Sequence, residues 1–178
     1  MSDKPVLVFD FFGVLCKEVG NIWIEKHNLE THEEAISEIE HRADVGDISF
    51  AEECELLGKI SGQSGEEVMA DFVGDVQMNT ELIDFLKNAK DKYRLALLSN
   101  ASSEFVKPLI ANNGLEEIFE RIYISSDLGM AKPEINVFKL VCATMGASPE
   151  QCIMIDDRVR NIDGAKAAGM KGILYNFS

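Results

Sequence analysis

Positive charge is the scarcest property of this sequence. Seventeen Lys and Arg stand against 31 Asp and Glu, a formal net charge of −14 over 178 residues. Such a balance argues against nucleic acid and anionic membranes as partners, and any anionic substrate must meet positive charge supplied locally by a metal or by placed Lys and Arg. Apolar runs are short, and none approaches the length of a membrane span. The amino terminus, Met1-Ser2-Asp3-Lys4-Pro5, passes directly into an apolar strand and leaves no space for a signal peptide, so a cytoplasmic location is expected. Cys16, Cys54, Cys142 and Cys152 form no C-x-x-C pair and read as reduced thiols. His27, His32 and His41 share one charged helical stretch without paired metal-ligand spacing, and read as surface residues. Repeats and low-complexity tracts are absent too.

What is present is an ordinary globular composition, 46% hydrophobic and 27% charged, with a length suited to one domain carrying a small insertion. The chain is organised around Val6-Leu7-Val8-Phe9-Asp10-Phe11-Phe12-Gly13-Val14-Leu15. Four consecutive apolar residues read as a strand buried on both faces, too short for a core helix. The run stops at Asp10, and Gly13 supplies the backbone freedom of a tight turn. Alone, Asp10 is as well explained by capping the turn that follows it.

Three further strands also end in polar residues. Leu95-Ala96-Leu97-Leu98 runs into Ser99-Asn100, Ile122-Tyr123-Ile124 into the loop bearing Lys132, and Cys152-Ile153-Met154-Ile155 into Asp156-Asp157. Gly172 to Tyr175 is a fifth strand. Helices are expected over Thr80–Tyr93, from Ser102 or Ser103 to Asn112, over Glu134–Met145 and over Asn161–Gly169. Strands alternating with such helices give an α/β fold with a Rossmann-like, doubly wound parallel sheet. Residues 16–78 break the alternation. They carry helical stripes, Ala35, Ile36 and Ile39 in one and Phe50, Cys54 and Leu57 in another, with Ser49 and Glu52 forming a capping box. We therefore expect a core of residues 1–15 and 79–178, with residues 16–78 forming a helical cap of the kind that excludes water and selects substrates.

Right-handed crossovers place every strand's carboxyl end on one edge of the sheet. Asp10, Ser99, Lys132, Asp156 and Asp157 then share one crevice. Facing carboxylates repel without a cation, and hard oxygen ligands suit Mg²⁺, with the Phe12 backbone carbonyl a further ligand. Ser99 and the backbone amides after it can donate to a phosphoryl oxygen, and Lys132 can balance both nucleophile and transferring group. Individually, Ser99 is equally a helix cap and Lys132 equally a solvated loop lysine. Their coincidence at strand ends is what speaks for a site.

Phe9-Asp10-Phe11-Phe12-Gly13-Val14-Leu15, Leu97-Leu98-Ser99-Asn100, Gly129-Met130-Ala131-Lys132-Pro133 and Ile155-Asp156-Asp157 with Asn161 resemble the four ordered motifs of the haloacid dehalogenase (HAD) superfamily. The resemblance covers essentially the whole chain. From Ile124 to Gly169 it is most similar to a branch containing small sugar-phosphate phosphatases and the amino-terminal phosphatase domain of soluble epoxide hydrolase. The resemblance implies that Asp10 is a nucleophile forming an aspartyl-phosphate. It further implies that Ser99, Asn100 and Lys132 bind the phosphoryl group, and that Asp10, Phe12, Asp156 and Asp157 hold Mg²⁺. The expected partner is a small phosphorylated metabolite, and the expected assembly a monomer or homodimer.

Two positions depart from the family pattern. Phosphatases of the superfamily usually carry a second Asp two residues after the nucleophile, where this chain has Phe12. A phenyl ring can neither protonate a leaving oxygen nor activate water. Loss of general acid–base catalysis costs about 10² to 10⁴ in rate. Asn161 stands where many members have a carboxylate, and is expected to hydrogen-bond Lys132 or a metal-bound water. Phe12 leaves three readings open: a slow or selective Mg²⁺ phosphatase, a 2-haloacid dehalogenase, whose members carry an aromatic residue here, and a weak or inactive binding protein on the same fold. Trp23, His41, Arg42 and Phe50 are candidates to face the crevice from the cap, and Arg158 and Arg160 to supply local positive charge.

Overall fold

The computed structural model describes residues 4–177; Met1, Ser2 and Asp3 of the amino-terminal expectation lie outside the described residues. Five strands form one sheet: β1 (Val6–Phe9), β2 (Arg94–Ser99), β3 (Arg121–Ile124), β4 (Cys152–Asp156) and β5 (Lys171–Leu174). Every pairing is parallel, in the order β3-β2-β1-β4-β5, so β1 is central. The order reverses direction at β1, which puts a crevice beside the carboxyl ends of β1, β2 and β4.

Alternation along the strands divides the core. Val6 and Val8 face one way, with Ala96, Leu98 and Met154, against α8 (Ile135–Thr144) and α9 (Val159–Ala167). Phe9 faces the other way, with Leu95, Leu97 and Ile155, against α5 (Thr80–Ala89) and α6 (Ser103–Asn112). Both faces are buried at β1, β2 and β4, as continuous apolar strands require, whereas the edge strand β5 is largely exposed.

Between β1 and α5 the chain forms four helices, α1 (Val19–His27), α2 (Glu33–Asp44), α3 (Phe50–Ser61) and α4 (Gly65–Gly74). Ser49 and Glu52 make the expected capping box, and Ser64 and Glu67 make a second at α4. Trp23, Ile36, Phe50, Cys54, Leu57, Val68 and Phe72 join the same apolar cluster as Phe9 and Phe105, so the insertion packs continuously onto the sheet's α5–α6 side.

Some bounds differ from expectation. Helix α5 ends at Ala89 rather than Tyr93, because the chain turns there, with the amides of Lys92 and Tyr93 both donating to the Ala89 carbonyl, to enter β2. Phe85 and Val73 point outward, 60% and 57% exposed, and Ala35 is exposed as well. Helix α9 starts two residues before Asn161. A short helix, α7 (Ser125–Leu128), occupies what reads as loop.

Candidate active site

The site is built on a buried lysine. Lys132 Nζ lies 2.7 Å from Asp10 Oδ1 and 2.8 Å from Asp156 Oδ2, and all three residues are nearly or wholly excluded from solvent. A solvated loop lysine is thereby excluded. The loop reaches this position because the Asn100 side chain grips its backbone. Asn100 Nδ2 donates to the Lys132 carbonyl at 2.9 Å, and Asn100 Oδ1 accepts from the Lys132 amide at 2.8 Å.

Asp10 is anchored at the end of β1 by its amide, which donates to the Ile155 carbonyl at 2.9 Å, and its Oδ1 accepts from the Phe11 amide at 2.7 Å. Burial pushes the Asp10 carboxyl well above its ordinary range; the Lys132 charge opposes that rise and the Asp156 charge adds to it. Asp156 is the reverse case. Burial would raise it, but Lys132 and the Arg158 amide, donating at 2.8 Å, hold it below the usual range. Burial alone would lower Lys132, yet the two carboxylates keep it above its ordinary value and charged.

Asn161 turns its amide nitrogen to Asp156, while its Oδ1 is buried without a partner among the described residues. Its Nδ2 donates to both Asp156 oxygens, at 3.0 and 3.1 Å, and not to Lys132, which cannot accept a hydrogen bond while protonated. The backbone amides after Ser99 are also partly committed: Ala101 donates to Ser125 Oγ at 3.0 Å and Ser103 to Ser126 Oγ at 2.8 Å. Ser99 is no helix cap, since α6 starts from Ser102. The Ser99 hydroxyl is fully buried and has no partner among the described residues.

Asp10, Asp156 and Asp157 each offer an oxygen, and these atoms lie within 4.8 Å of one another. Asp157 Oδ1 is buried without a partner, and burial first, then the Glu18 and Asp156 charges, raise its carboxyl to about 6. Gly13 makes the approach possible: a Cβ there would lie 2.3 Å from Asp157 Cγ, and the backbone has φ +79°. The Phe12 carbonyl accepts no hydrogen bond among the described residues. An unsatisfied carboxylate oxygen among hard oxygen donors fits a divalent cation such as Mg²⁺.

The Phe12 ring turns away from this cluster. It meets Phe11 edge-on at 4.9 Å and stacks on Phe105 at 5.8 Å, so it walls the adjoining cavity rather than separating Asp10 from Asp157. That cavity, about 90 Å³, is also lined by Asp10, Asn100, Phe50, Arg158 and Arg160.

Compared with known proteins, residues 5–169 match the haloacid dehalogenase-like hydrolase family. The chain belongs to that family. It is 31% identical over 145 residues to the N-acylneuraminate-9-phosphatase of Mus musculus, covering 80% of this chain and 53% of that one. To the fructose-1-phosphate phosphatase YqaB of Escherichia coli (strain K12) it is 28% identical over 92 residues, covering 52% and 49%. The chain spans about half the length, or less, of the curated relatives it matches. Among solved structures, the HAD-family enzyme bt-2542 of Bacteroides thetaiotaomicron, in complex with magnesium and inorganic phosphate, superposes with a TM-score of 0.77. That pair is 25% identical, covering 96% of this chain and 93% of the other.

In this HAD-like hydrolase, the cap candidates sort unevenly. Phe50 lines the cavity, whereas Trp23 is buried in the core, its Nε1 donating to Gln63 Oε1 at 3.2 Å. Arg42 is exposed, and His41 lines a neighbouring depression beside Lys132 and Pro133. Arg158 and Arg160 do line the cavity, and Arg158 is paired with Glu18 at 2.8 Å. Sequence reasoning missed the carboxylates of the cavity wall, Glu18, Glu40, Asp44 and Glu53. A signal existed: Glu53 falls on the apolar stripe of Phe50, Cys54 and Leu57, and Glu40 and Asp44 fall four and eight residues after the buried Ile36.

Proposed function

We propose that this chain is a Mg²⁺-dependent phosphatase of small phosphorylated metabolites, acting through an aspartyl-phosphate on Asp10. The observation that carries the reading is the buried Asp10–Lys132–Asp156 ion pair beside the unpartnered Asp157. An Asp10 oxygen attacks phosphorus and the ester P–O bond breaks. Lys132, charged and fixed at Asp10, balances negative charge as the phosphoryl group transfers. The Ser99 hydroxyl, without a partner among the described residues, donates a hydrogen bond to a phosphoryl oxygen. Asp10, Asp156, Asp157 and the Phe12 carbonyl would hold Mg²⁺, which when bound supplies charge that neutralises the phosphoryl oxygens. Water then attacks phosphorus, releasing inorganic phosphate and restoring the Asp10 carboxylate.

Phe12 offers no proton to the departing oxygen, so that proton comes from solvent. Substrates whose leaving groups need little protonation, such as sugar 1-phosphates, acyl phosphates or aryl phosphates, are favoured. Residues 16–78 act as the cap over a core of residues 1–15 and 79–178. The four free, buried cysteines suit a reducing, cytoplasmic setting. A 2-haloacid dehalogenase shares the aromatic residue at position 12, but Asp156 and Asp157 would set negative charge against a haloacid carboxylate. The test is a screen over phosphorylated metabolites with and without Mg²⁺, using Asp10→Asn as the blank. Mg²⁺-dependent phosphate release absent from the blank is the expected result; release that survives Asp10→Asn would overturn the proposal.

A further inference from the structure

The cavity beside Asp10 has mixed walls. Part of the lining is phenyl. Phe50 and Phe105 stack with ring centroids 4.8 Å apart, Phe12 lies parallel to Phe105 within 9°, and Phe72 tilts against Phe50 and Phe105 at 6.3 and 6.1 Å. All four rings line the cavity. The helical insertion, which itself brings Phe50 and Phe72, and the segment leading into it also add carboxyl groups to the lining: Glu18 before α1, Glu40 and Asp44 on α2, and Glu53 on α3. Arg158 and Arg160 also line it, but Arg158 is bonded to Glu18.

Glu53 is the informative residue. It is 7% exposed, lines the cavity, and makes no hydrogen bond or ion pair among the described residues. Burial makes this carboxyl costly to ionise, and at this position on the α3 stripe an apolar side chain would pack without that cost. A reason for its retention therefore lies in what enters the cavity.

We infer that the cavity binds a positively charged amine, and that the phosphomonoester hydrolysed at Asp10 carries that amine on its leaving group. The second half rests on the phosphatase reading; the first does not. A metal ion fits the cap carboxylates poorly. Among the described residues, only Asp10, Asp156 and Asp157 bring ligand oxygens within 4.8 Å of one another. Dispersed carboxylates beside phenyl faces match an organic ammonium instead, with its charge toward the carboxylates and its carbon substituents against the rings.

Protonation gives the inference a second signature. Burial, then the Glu40 and Asp44 charges, raise Glu53 well above the usual range. Burial with the Glu18 charge holds Glu40 at about 7, and burial holds Asp44 at about 7, with Arg158 and Arg160 opposing both rises. The unliganded cavity thus holds protons that an arriving ammonium displaces.

Calorimetric titration of the whole protein with choline and with its neutral tert-butyl isostere tests the amine site without turnover. Choline should bind at least about tenfold more tightly than the isostere. The heat should vary with the buffer's ionisation enthalpy, because protons are released. Glu53→Gln, which removes the carboxyl that would ionise against the ammonium but no hydrogen bond, should abolish the preference and can be checked for folding by its thermal transition. Equal binding of both probes, or an unchanged preference in Glu53→Gln, would overturn the inference. A turnover arm separates the two readings. Faster hydrolysis of phosphocholine and phosphoethanolamine than of neutral alkyl phosphates supports both. Preference for the neutral esters overturns the amine inference and leaves the phosphatase. No phosphomonoester turnover, with choline preferred in the titration, removes the phosphatase reading and keeps the amine site.

Discussion

Asn100 holds Lys132 by its backbone, donating to the carbonyl at 2.9 Å and accepting from the amide at 2.8 Å. The side chain of one strand-end residue thereby fixes the loop that carries the site's buried cation. Precision at Lys132 Nζ depends on a residue that does not touch it.

Asn100→Ala should therefore loosen the loop without removing charge. Two lost hydrogen bonds to buried backbone predict a destabilisation of about 1–3 kcal/mol, or several degrees in the unfolding midpoint. In a phosphatase assay, kcat should fall more than KM rises. Asn100→Asp should fail as well, because a carboxylate cannot donate to the Lys132 carbonyl. An unchanged thermal transition in both variants would contradict this role.

Lys132→Met should be more damaging. It leaves Asp10 and Asp156 facing each other in a buried site without their cation, and breaking a buried ion pair from one side costs about 3–5 kcal/mol. Thermal or denaturant unfolding measures this directly. Pairing Lys132→Met with Asp156→Asn should recover part of the loss, since one uncompensated charge is removed.

Phe12→Asp restores a carboxyl beside Asp10. If the missing acid–base group limits the reaction, hydrolysis of alkyl phosphates should rise by about 10² to 10⁴, and of aryl phosphates by much less. Stability should fall, because Phe12 packs against Phe11 and Phe105. Steady-state kinetics on matched alkyl and aryl esters decides it.

Stability should also depend on pH through the cavity wall. Glu40 and Asp44 sit at about 7 in the fold, held there chiefly by burial. In the unfolded chain they titrate near 4. Below about pH 4 both states are protonated and the groups are neutral to stability; between about 4 and 7 the unfolded chain ionises first, so stability falls as pH rises, and the penalty is complete above about 7. Each carboxyl should contribute about 1 kcal/mol to that fall, allowing for its partial solvent exposure. Glu40→Gln and Asp44→Asn should each flatten the unfolding midpoint across this range.

Much of this was legible in the residues, and the rest was not for physical reasons. Alternation of short apolar runs with helical stripes announced a parallel sheet, because strands buried on both faces have no polar period. The strand order, and with it the reversal at β1, was not legible, because chain order leaves open which side of β1 each later strand joins. Asp10, Lys132, Asp156 and Asp157 stood out as polar residues closing apolar strands or filling the loop after one. Asn161 was placed at the site, but its bonds to Asp156 were not foreseen, since sequence shows neither amide orientation nor which carboxylate lies nearer. The acidic wall was hidden. Glu40 and Asp44 resemble any solvated helix face until the fold turns that face toward Asp10. Trp23, a candidate for the crevice or equally for the core, fills the core.

The central claim is that Asp10 becomes phosphorylated and, lacking a base at position 12, loses its phosphoryl group slowly. Acid-quenched intact-mass measurement during turnover of an aryl phosphate with Mg²⁺ tests both parts at once. The account expects a burst of aryl alcohol release, with one phosphoryl group added to the protein at Asp10 and neither seen in Asp10→Asn. A linear time course with no adduct, or equal turnover in Asp10→Asn, would contradict it.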